Sequence, residues 1–198
     1  MNKLVVLSGV PGSGKSYFSK TLKKIKNSHV YVISSDELRK LICGNQSSLE
    51  CEDLMWKMFL ELAKVYALDK NGIVILDATH VSSELRVHRN MCLKPLFDET
   101  ILVMWHIDRA TVVNQNFQRE HPIPPEALDK FLSIFELPTE DDILDIILFG
   151  RETVSLPDLI VPHPEATRRD FVMIPVREIE PELADWLMEQ ADPRQGCR

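Results

Sequence analysis

The run from Gly9 to Ser16, GVPGSGKS, places a lysine and a serine behind three glycines in the spacing G-x-x-x-x-G-K-[ST]. Glycine adopts backbone angles that other residues resist, so successive N–H groups can turn toward a single anion. In this pattern the lysine reaches the β- and γ-phosphates of a nucleoside triphosphate, and the serine hydroxyl is a Mg²⁺ ligand. The pattern predicts a site for the cofactors ATP and Mg²⁺ formed by Gly9, Pro11, Gly12, Ser13, Gly14, Lys15, Ser16 and Tyr17. Lys15 is also a predicted catalytic residue, and Ser16 is a predicted metal ligand.

The elements on both sides of this loop favour that interpretation. The apolar run Leu4–Ser8 predicts a buried strand, and the apolar residues Phe18, Leu22 and Ile25 follow at helical spacing. A helix that starts behind the loop directs its positive end toward the same anion. A plain glycine-rich turn with a surface lysine is the alternative, and it would not require a strand and a helix on these two sides.

Asp36 and Arg39 follow a second predicted strand at 29–34. Ser34 or Ser35 can cap a helix that begins near Asp36, and residues three apart lie on one helical face. A carboxylate at a strand end can accept the proton of a substrate hydroxyl, and an arginine one turn later can bind a substrate phosphate. We therefore predict Asp36 as catalytic and Arg39 as substrate-binding. A solvated helical ion pair is an equally compatible interpretation.

The third predicted strand, at 72–77, ends in Asp77 and is followed by Ala78, Thr79 and His80. Parallel strands end at the same edge of a sheet, where α/β proteins bind their ligands. Asp77 can bind Mg²⁺ or the substrate there, and both roles are kept open. Thr79 is a predicted substrate contact. His80 either touches the substrate or is a capping or surface histidine.

Two helices joined by a stiff break predict a lid over residues 110–136. A fourth strand at 100–107 precedes Asp108, which can cap a helix at 110–119, and the proline-rich run HPIPP leads to a second helix at 126–135. Arg119 at the inner corner could neutralise charge on the triphosphate during transfer, so it is a predicted catalytic residue. The alternative is an exposed arginine that the helix dipole stabilises.

The remaining patterns complete a predicted α/β fold. A long amphipathic helix at 49–68 carries an apolar series at helical steps, which is Leu54, Met58, Leu62, Val65 and Leu68. A fifth strand is predicted at 145–149, extended segments at 158–161 and 171–176, and a helix at 181–190. We expect a P-loop NTPase with a parallel sheet of about five strands, helices on both faces and a helical lid. Residues 1–150 would form the kinase domain, and 151–198 a C-terminal extension packed on it.

Composition limits the partners. A net charge of −7 disfavours broad, non-specific binding of nucleic acid, which needs basic surface, but it leaves a local basic pocket possible. No run is long or apolar enough to cross a bilayer, and four scattered cysteines have neither metal-ligand nor disulfide spacing. We expect a cytoplasmic protein with reduced thiols and no membrane partner. The sequence predicts no oligomeric state.

Five motifs in one order, GVPGSGKS, SSDELRK, LDATH, NQNFQREHPIPPEAL and FELPTEDD, give the chain a resemblance to a known family. It resembles the bacteriophage-type polynucleotide 5′-hydroxyl kinases and the wider group of small P-loop kinases. The resemblance covers residues 1–150 and implies that Lys15 and Ser16 bind ATP and Mg²⁺. This chain departs from the family pattern at His80, where such kinases often carry asparagine.

The resemblance also implies roles on the acceptor side. Asp36 would be the general base on the 5′-OH, and Arg39 would bind the phosphate next to the acceptor sugar. Arg119 would stabilise the transferring phosphoryl group, and Asp77 would line the acceptor side. The expected activity is therefore transfer of the γ-phosphate of ATP to the 5′-OH end of a polynucleotide.

Two other functions remain open. The acidic charge favours a kinase of a nucleoside or another small metabolite. A nucleotide-responsive ATP-binding module without transferase activity is the third possibility, although such a module would not need a base at Asp36.

Overall fold

The apolar runs that were predicted as strands form one parallel five-stranded sheet in the order β2-β3-β1-β4-β5. Its strands are β1 (Lys3–Gly9), β2 (Val30–Ser34), β3 (Ile73–Asp77), β4 (Glu99–Trp105) and β5 (Asp145–Phe149). The structure is a computed structural model that describes residues 1–26, 28–119 and 121–139, strands at 145–149, 154–156 and 159–161, and the single positions Met173, Arg177, Ala184, Asp185 and Met188. The strand order puts β1 at the centre, with β3 and β4 paired to its two sides.

Helices cover both faces of the sheet. They are α1 (Lys15–Lys26), α2 (Ser35–Cys43), α3 (Glu52–Tyr66), α4 (Ser83–Leu93), α5 (Arg109–Phe117) and α6 (Pro125–Ser133), with a short 3₁₀ turn at Lys94–Leu96. Successive residues of a strand point to opposite faces, and a parallel sheet buries both. In β1, Val5 and Leu7 join the core cluster that includes Phe18 of α1, whereas Leu4 and Val6 join the cluster that includes Phe59 of α3. The α/β prediction is therefore confirmed.

The buried face of α3 includes Met55 and Phe59, which the sequence favoured as core or groove-wall residues. In the apolar series at helical steps, Leu54, Val65 and Leu68 have exposed fractions of 50%, 55% and 75%. The fully buried series is Met55, Phe59 and Ala63, at steps of four residues. The segment offers several apolar series at helical spacing, and only the position of the sheet selects the one that packs against it.

The two helices predicted as a lid pack against the phosphate loop through a small core of their own. Val112 of α5 and Leu128 of α6 form a buried cluster with Val10 of the loop and with Val81. The Asn116 amide closes the connection between the helices, because it donates to the Ile123 carbonyl at 2.8 Å and accepts from the Ile123 N–H at 3.0 Å. The lid is thus tied to the loop that it would cover.

Beyond the five-stranded sheet, β6 (Val154–Leu156) and β7 (Leu159–Val161) form a two-stranded antiparallel pair. Two single described positions of the C-terminal segment, Met173 and Ala184, are buried in the core cluster that includes Phe18. Met173 is helical, in contrast to the extended segment predicted at 171–176, whose other residues lie outside the described part. The domain division at residue 150 stays a prediction. In the described part of the chain, no helix has the length and apolar character needed to cross a membrane.

Candidate active site

The loop between β1 and α1 folds around the ammonium group of Lys15. Gly12 and Gly14 have φ angles of +85° and +100°, which side-chain-bearing residues rarely adopt. Lys15 opens α1, and its Nζ donates to the carbonyl oxygens of Gly9 and Val10, each at 2.8 Å. The Ser13 hydroxyl lies 3.4 Å from the same nitrogen. The predicted loop residues therefore form one compact cup with the charge of Lys15 inside it.

The electrostatics of Lys15 connect the loop to three other predicted residues. Burial lowers the pKa of Lys15 from its usual 10.5 to about 8. The negative charges of Asp77 and Asp36 raise this pKa, and the positive charge of Arg119 lowers it. All three side chains are therefore close enough to Lys15 to act on its protonation. Residues that are up to 104 positions apart in the sequence thus surround one ammonium group.

Asp77 and two serines of α1 form an oxygen-rich group beside the loop. Asp77 is buried at the end of β3, and its Oδ2 accepts a 3.1 Å hydrogen bond from Ser19 Oγ, while the Ser16 side chain lies near enough to lower the pKa of the carboxyl. Burial raises the pKa of the Asp77 carboxyl, and the Lys15 charge and the serine hydrogen bonds oppose that rise. Mg²⁺ is held in kinases by one or two protein oxygens, with phosphates and water completing its shell. Ser16 and Asp77 fit that donor set.

No group of three or more potential His, Cys, Asp or Glu ligands occurs among the described residues.

Asp36 and Arg39 lie together on α2, and Arg39 has a second partner that the sequence did not indicate. Arg39 Nη1 donates to Asp36 Oδ1 at 3.0 Å, while its Nε donates to Glu52 Oε1 at 2.5 Å. Glu52 Oε2 in turn accepts from Trp56 Nε1 at 3.0 Å. The hydrogen bond from Arg39 lowers the pKa of the Glu52 carboxyl. Arg39 is therefore an anchored arginine, and Asp36, whose side chain is 53% exposed, stays accessible.

Glu52 and Trp56 carry no signal in the sequence that would have identified them. They open an amphipathic helix, 13 residues or more after Arg39, and nothing in their spacing links the two segments. Only the packing of α2 against α3 brings them together.

Arg119 follows α5 at the inner corner of the lid. Its backbone N–H donates to the Asn116 carbonyl at 3.2 Å, which continues the helix by one turn. Its Nη1 is buried and has no hydrogen-bond partner among the described residues. The positive charge of Arg119 also lowers the pKa of Lys15, so this side chain is partly buried within the electrostatic reach of the loop and is not a fully exposed helix-end arginine.

The histidine after the third motif has a structural role that neither sequence interpretation foresaw. His80 is 1% exposed, and its Nδ1 lies 2.8 Å from the Leu7 carbonyl oxygen. Burial lowers the pKa of His80 from 6.5 to about 4, so the ring is neutral at physiological pH. It is neither a capping nor a surface histidine. Its neighbour Thr79 is partly buried and accepts the Gly9 N–H at 2.9 Å through its carbonyl, and Tyr17 is 58% exposed beside Ser16.

Arg86 of α4 is a further buried residue whose importance the sequence did not show. Its guanidinium donates to the carbonyls of His80, Val81, Glu136 and Leu137 at 3.1 to 3.4 Å. It thereby joins the loop after β3 to the segment that follows the lid.

Comparison with known proteins places this geometry in context. A family model described as an AAA domain matches residues 4–138. A 2-amino-4-hydroxy-6-hydroxymethyldihydropteridine pyrophosphokinase from Synechocystis sp. is 40% identical over 53 residues, which are 27% of this chain and 24% of that protein. The matched stretch thus spans about a quarter of the length of the curated relatives, so their activity is not carried over.

Solved structures share the fold at low identity. A gluconokinase from Sinorhizobium meliloti 1021 has a TM-score of 0.54 at 19% identity, covering 96% of this chain and 97% of that one. A fungal RNA kinase has a TM-score of 0.56 at 15% identity, covering 96% and 93%. Both likenesses concern the fold alone.

Proposed function

Because the chain belongs to the AAA domain family and has the fold of P-loop kinases, we propose that it transfers the γ-phosphate of ATP to the 5′-OH end of a polynucleotide. The observation that carries this proposal is the position of Asp36. An accessible carboxylate lies close enough to the loop lysine to influence its pKa, on the same helix as an anchored arginine. A phosphate site with a base beside it is the arrangement that phosphoryl transfer to a hydroxyl requires.

The loop and the lid together would bind the triphosphate. The backbone N–H groups of the cup and the Lys15 ammonium would hold the phosphates, and the Arg119 guanidinium, whose Nη1 has no hydrogen-bond partner among the described residues, would contact the γ-phosphate from the lid. Ser16 and Asp77 would hold Mg²⁺, which neutralises phosphate charge when it is bound. We assign Asp77 to the metal rather than to the acceptor, because its carboxylate lies beside Ser16 and accepts a hydrogen bond from Ser19 of the same helix.

On the acceptor side, Asp36 would take the proton of the attacking hydroxyl. The hydroxyl oxygen forms a bond to the γ-phosphorus while the bond from that phosphorus to the β–γ bridging oxygen breaks. The electron pair of the broken bond stays on the bridging oxygen, which leaves as part of ADP. Arg39 holds Asp36 through a 3.0 Å hydrogen bond and would itself contact an acceptor phosphate. The order of motifs that resembles polynucleotide 5′-hydroxyl kinases supports the identity of this acceptor.

A transfer assay tests the proposal. The purified protein is incubated with γ-labelled ATP, Mg²⁺ and either 5′-OH DNA or RNA oligonucleotides or a panel of nucleosides and sugar acids. Label is expected on the oligonucleotide, and Asp36→Asn, which keeps the shape and the contact to Arg39, should lower kcat by about 10² to 10⁴. Equal activity of Asp36→Asn would remove the assigned base.

A kinase of a small metabolite is the second candidate. The net charge of −7 opposes binding of a polyanion, and the gluconokinase shares the fold over nearly the whole chain. The same assay separates the candidates, since label found only on small molecules would favour this one. Binding of ATP without label on any acceptor would favour a nucleotide-responsive module instead.

A further inference from the structure

The indole ring of Trp56 contacts two guanidinium groups. The Cζ of Arg39 is 5.9 Å from the ring centroid, and the Cζ of Arg89 is 4.6 Å from it. Both distances are within the range of cation–π contact. Two positive charges, one from α2 and one from α4, therefore meet on one aromatic side chain of α3, next to the proposed base Asp36.

The two arginines differ in how their charge is balanced. Arg39 is paired with Asp36 and Glu52, whereas no carboxylate forms an ion pair with Arg89 among the described residues. Arg89 is 5% exposed, its Nε has no hydrogen-bond partner in that part of the chain, and its Nη1 lies 3.1 Å from His88 Nδ1. A buried charge without a counter-ion is strongly unfavourable, so folding alone does not explain this side chain.

A second unsatisfied polar atom belongs to the same cluster. The His80 ring centroid is 6.5 Å from that of Trp56, and His80 Nε2 is buried without a hydrogen-bond partner among the described residues. Because a carbonyl oxygen can only accept, His80 Nδ1 carries the proton at its 2.8 Å contact with Leu7, and Nε2 is left as an acceptor. The surroundings of Trp56 thus offer an unused cationic donor and an unused acceptor.

We propose that Arg89, held on the face of Trp56, binds a phosphodiester group of the acceptor substrate. The site continues from Arg39, so an acceptor with its hydroxyl at Asp36 would place its first phosphodiester group beside Arg39 and within reach of Arg89. An anion there supplies the counter-charge that the protein itself lacks. The inference rests on the proposed function and narrows its acceptor to an oligonucleotide with at least one phosphodiester, as opposed to a nucleoside or a sugar acid.

Direct binding without ATP tests the inference. The probes are the 5′-OH dinucleotide TpT and thymidine, measured by titration calorimetry on the whole chain. The wild-type protein should bind TpT more tightly than thymidine. Arg89→Met, which replaces the charge by an apolar side chain of similar length, should weaken TpT binding about tenfold or more and leave thymidine and ATP binding unchanged.

Thermal stability separates binding from a structural role. Removal of an unpaired buried charge is expected to leave the Tm of Arg89→Met unchanged or higher. A lower Tm together with lost ATP binding would mean that Arg89 supports the fold, and it would overturn the inference. Arg89→Gln, which also removes the charge, is the second variant should Arg89→Met fail to fold, and Lys94→Gln, an exposed charge just beyond the same helix, is the matched control with wild-type TpT affinity.

Failure of the inference can be told apart from failure of the proposed function. Arg89-dependent TpT binding by a protein that phosphorylates no 5′-OH would support this site and contradict the kinase proposal. Wild-type affinity for TpT in a folded Arg89→Met or Arg89→Gln protein would overturn the site, even if that protein phosphorylates TpT normally.

Discussion

Ser19 Oγ donates a 3.1 Å hydrogen bond to Asp77 Oδ2, and this contact joins the second turn of α1 to the end of β3 across 58 residues of sequence. It fixes a buried carboxylate beside the hydroxyl of Ser16 and within the electrostatic reach of Lys15. The helix that follows the phosphate-binding loop and the strand end that would bind metal are therefore joined by a direct hydrogen bond. Substitutions in these two parts and in the elements around them have separate expected effects.

Asp77→Asn should weaken the Mg²⁺ dependence of ATP binding. The amide keeps the size of the carboxylate but removes the charge that a hard cation requires, so we expect a loss of about tenfold or more in Mg²⁺ affinity for the ATP complex. Titration of Mg²⁺ at a fixed ATP concentration measures this affinity. Ser19→Ala is the matched variant, with a smaller loss, because it frees the carboxylate without removing it. Unchanged Mg²⁺ affinity in Asp77→Asn would assign that residue to another role.

Arg119→Ala should lower kcat by about a thousandfold and change the affinity for ATP little. The guanidinium would act on charge that develops during transfer, so its loss affects the transition state more than the ground state. Steady-state kinetics with separate ATP binding measurements distinguish the two effects. Arg109→Ala on the same helix removes an exposed ion pair with Asp129 and serves as the control. An equal kcat for both variants would contradict the lid assignment.

ATP affinity should fall as pH rises through about 8, because the pKa of Lys15 in the free protein is lowered to about 8. Above that pH the free protein must take up a proton before its ammonium can attract the phosphates, so the apparent Kd rises by up to about tenfold per pH unit. Calorimetric titrations from pH 7 to 9.5 measure this. Lys15→Met should bind ATP weakly, and its Kd should depend little on pH. A Kd for ATP that does not change with pH in the wild-type protein would refute the prediction.

His80 should make the protein less stable as pH falls from about 6.5 to about 4. Its pKa is lowered from 6.5 to about 4 in the folded chain, so the unfolded chain binds more protons in this window. Stability is therefore fully retained above 6.5 and is lost progressively below it, by up to roughly 3 kcal/mol.

Urea denaturation at several pH values checks this effect of His80. His80→Asn removes the titrating ring and suits the positive φ of 39° at this position, so its stability should vary less across the window. His121→Gln, at an exposed lid position, is the control. Identical pH dependence of His80→Asn and the wild-type protein would show that the pKa of His80 does not differ between the folded and unfolded states.

Local patterns in the sequence determined the frame of this protein. The loop spacing, the apolar strand runs and the caps predicted at Ser34 or Ser35 and at Asp108 each depend on neighbours within a few positions, and the side chains of Ser34 and Asp108 accept the expected hydrogen bonds. The helix ends moved by one to three residues, because a cap and a short apolar run restrict them only to about one turn.

The tertiary structure alone decided which side chains complete the site. The pairing of Arg39 with Glu52, the burial of His80 and the meeting of Arg89 with Trp56 join different elements, and no spacing in the sequence links them. The buried face of α3 was also decided there, since the sheet selects one apolar series among several. The physical reason is the same in each case: these contacts depend on how elements distant in the sequence pack, and periodicity reports only what lies along one element.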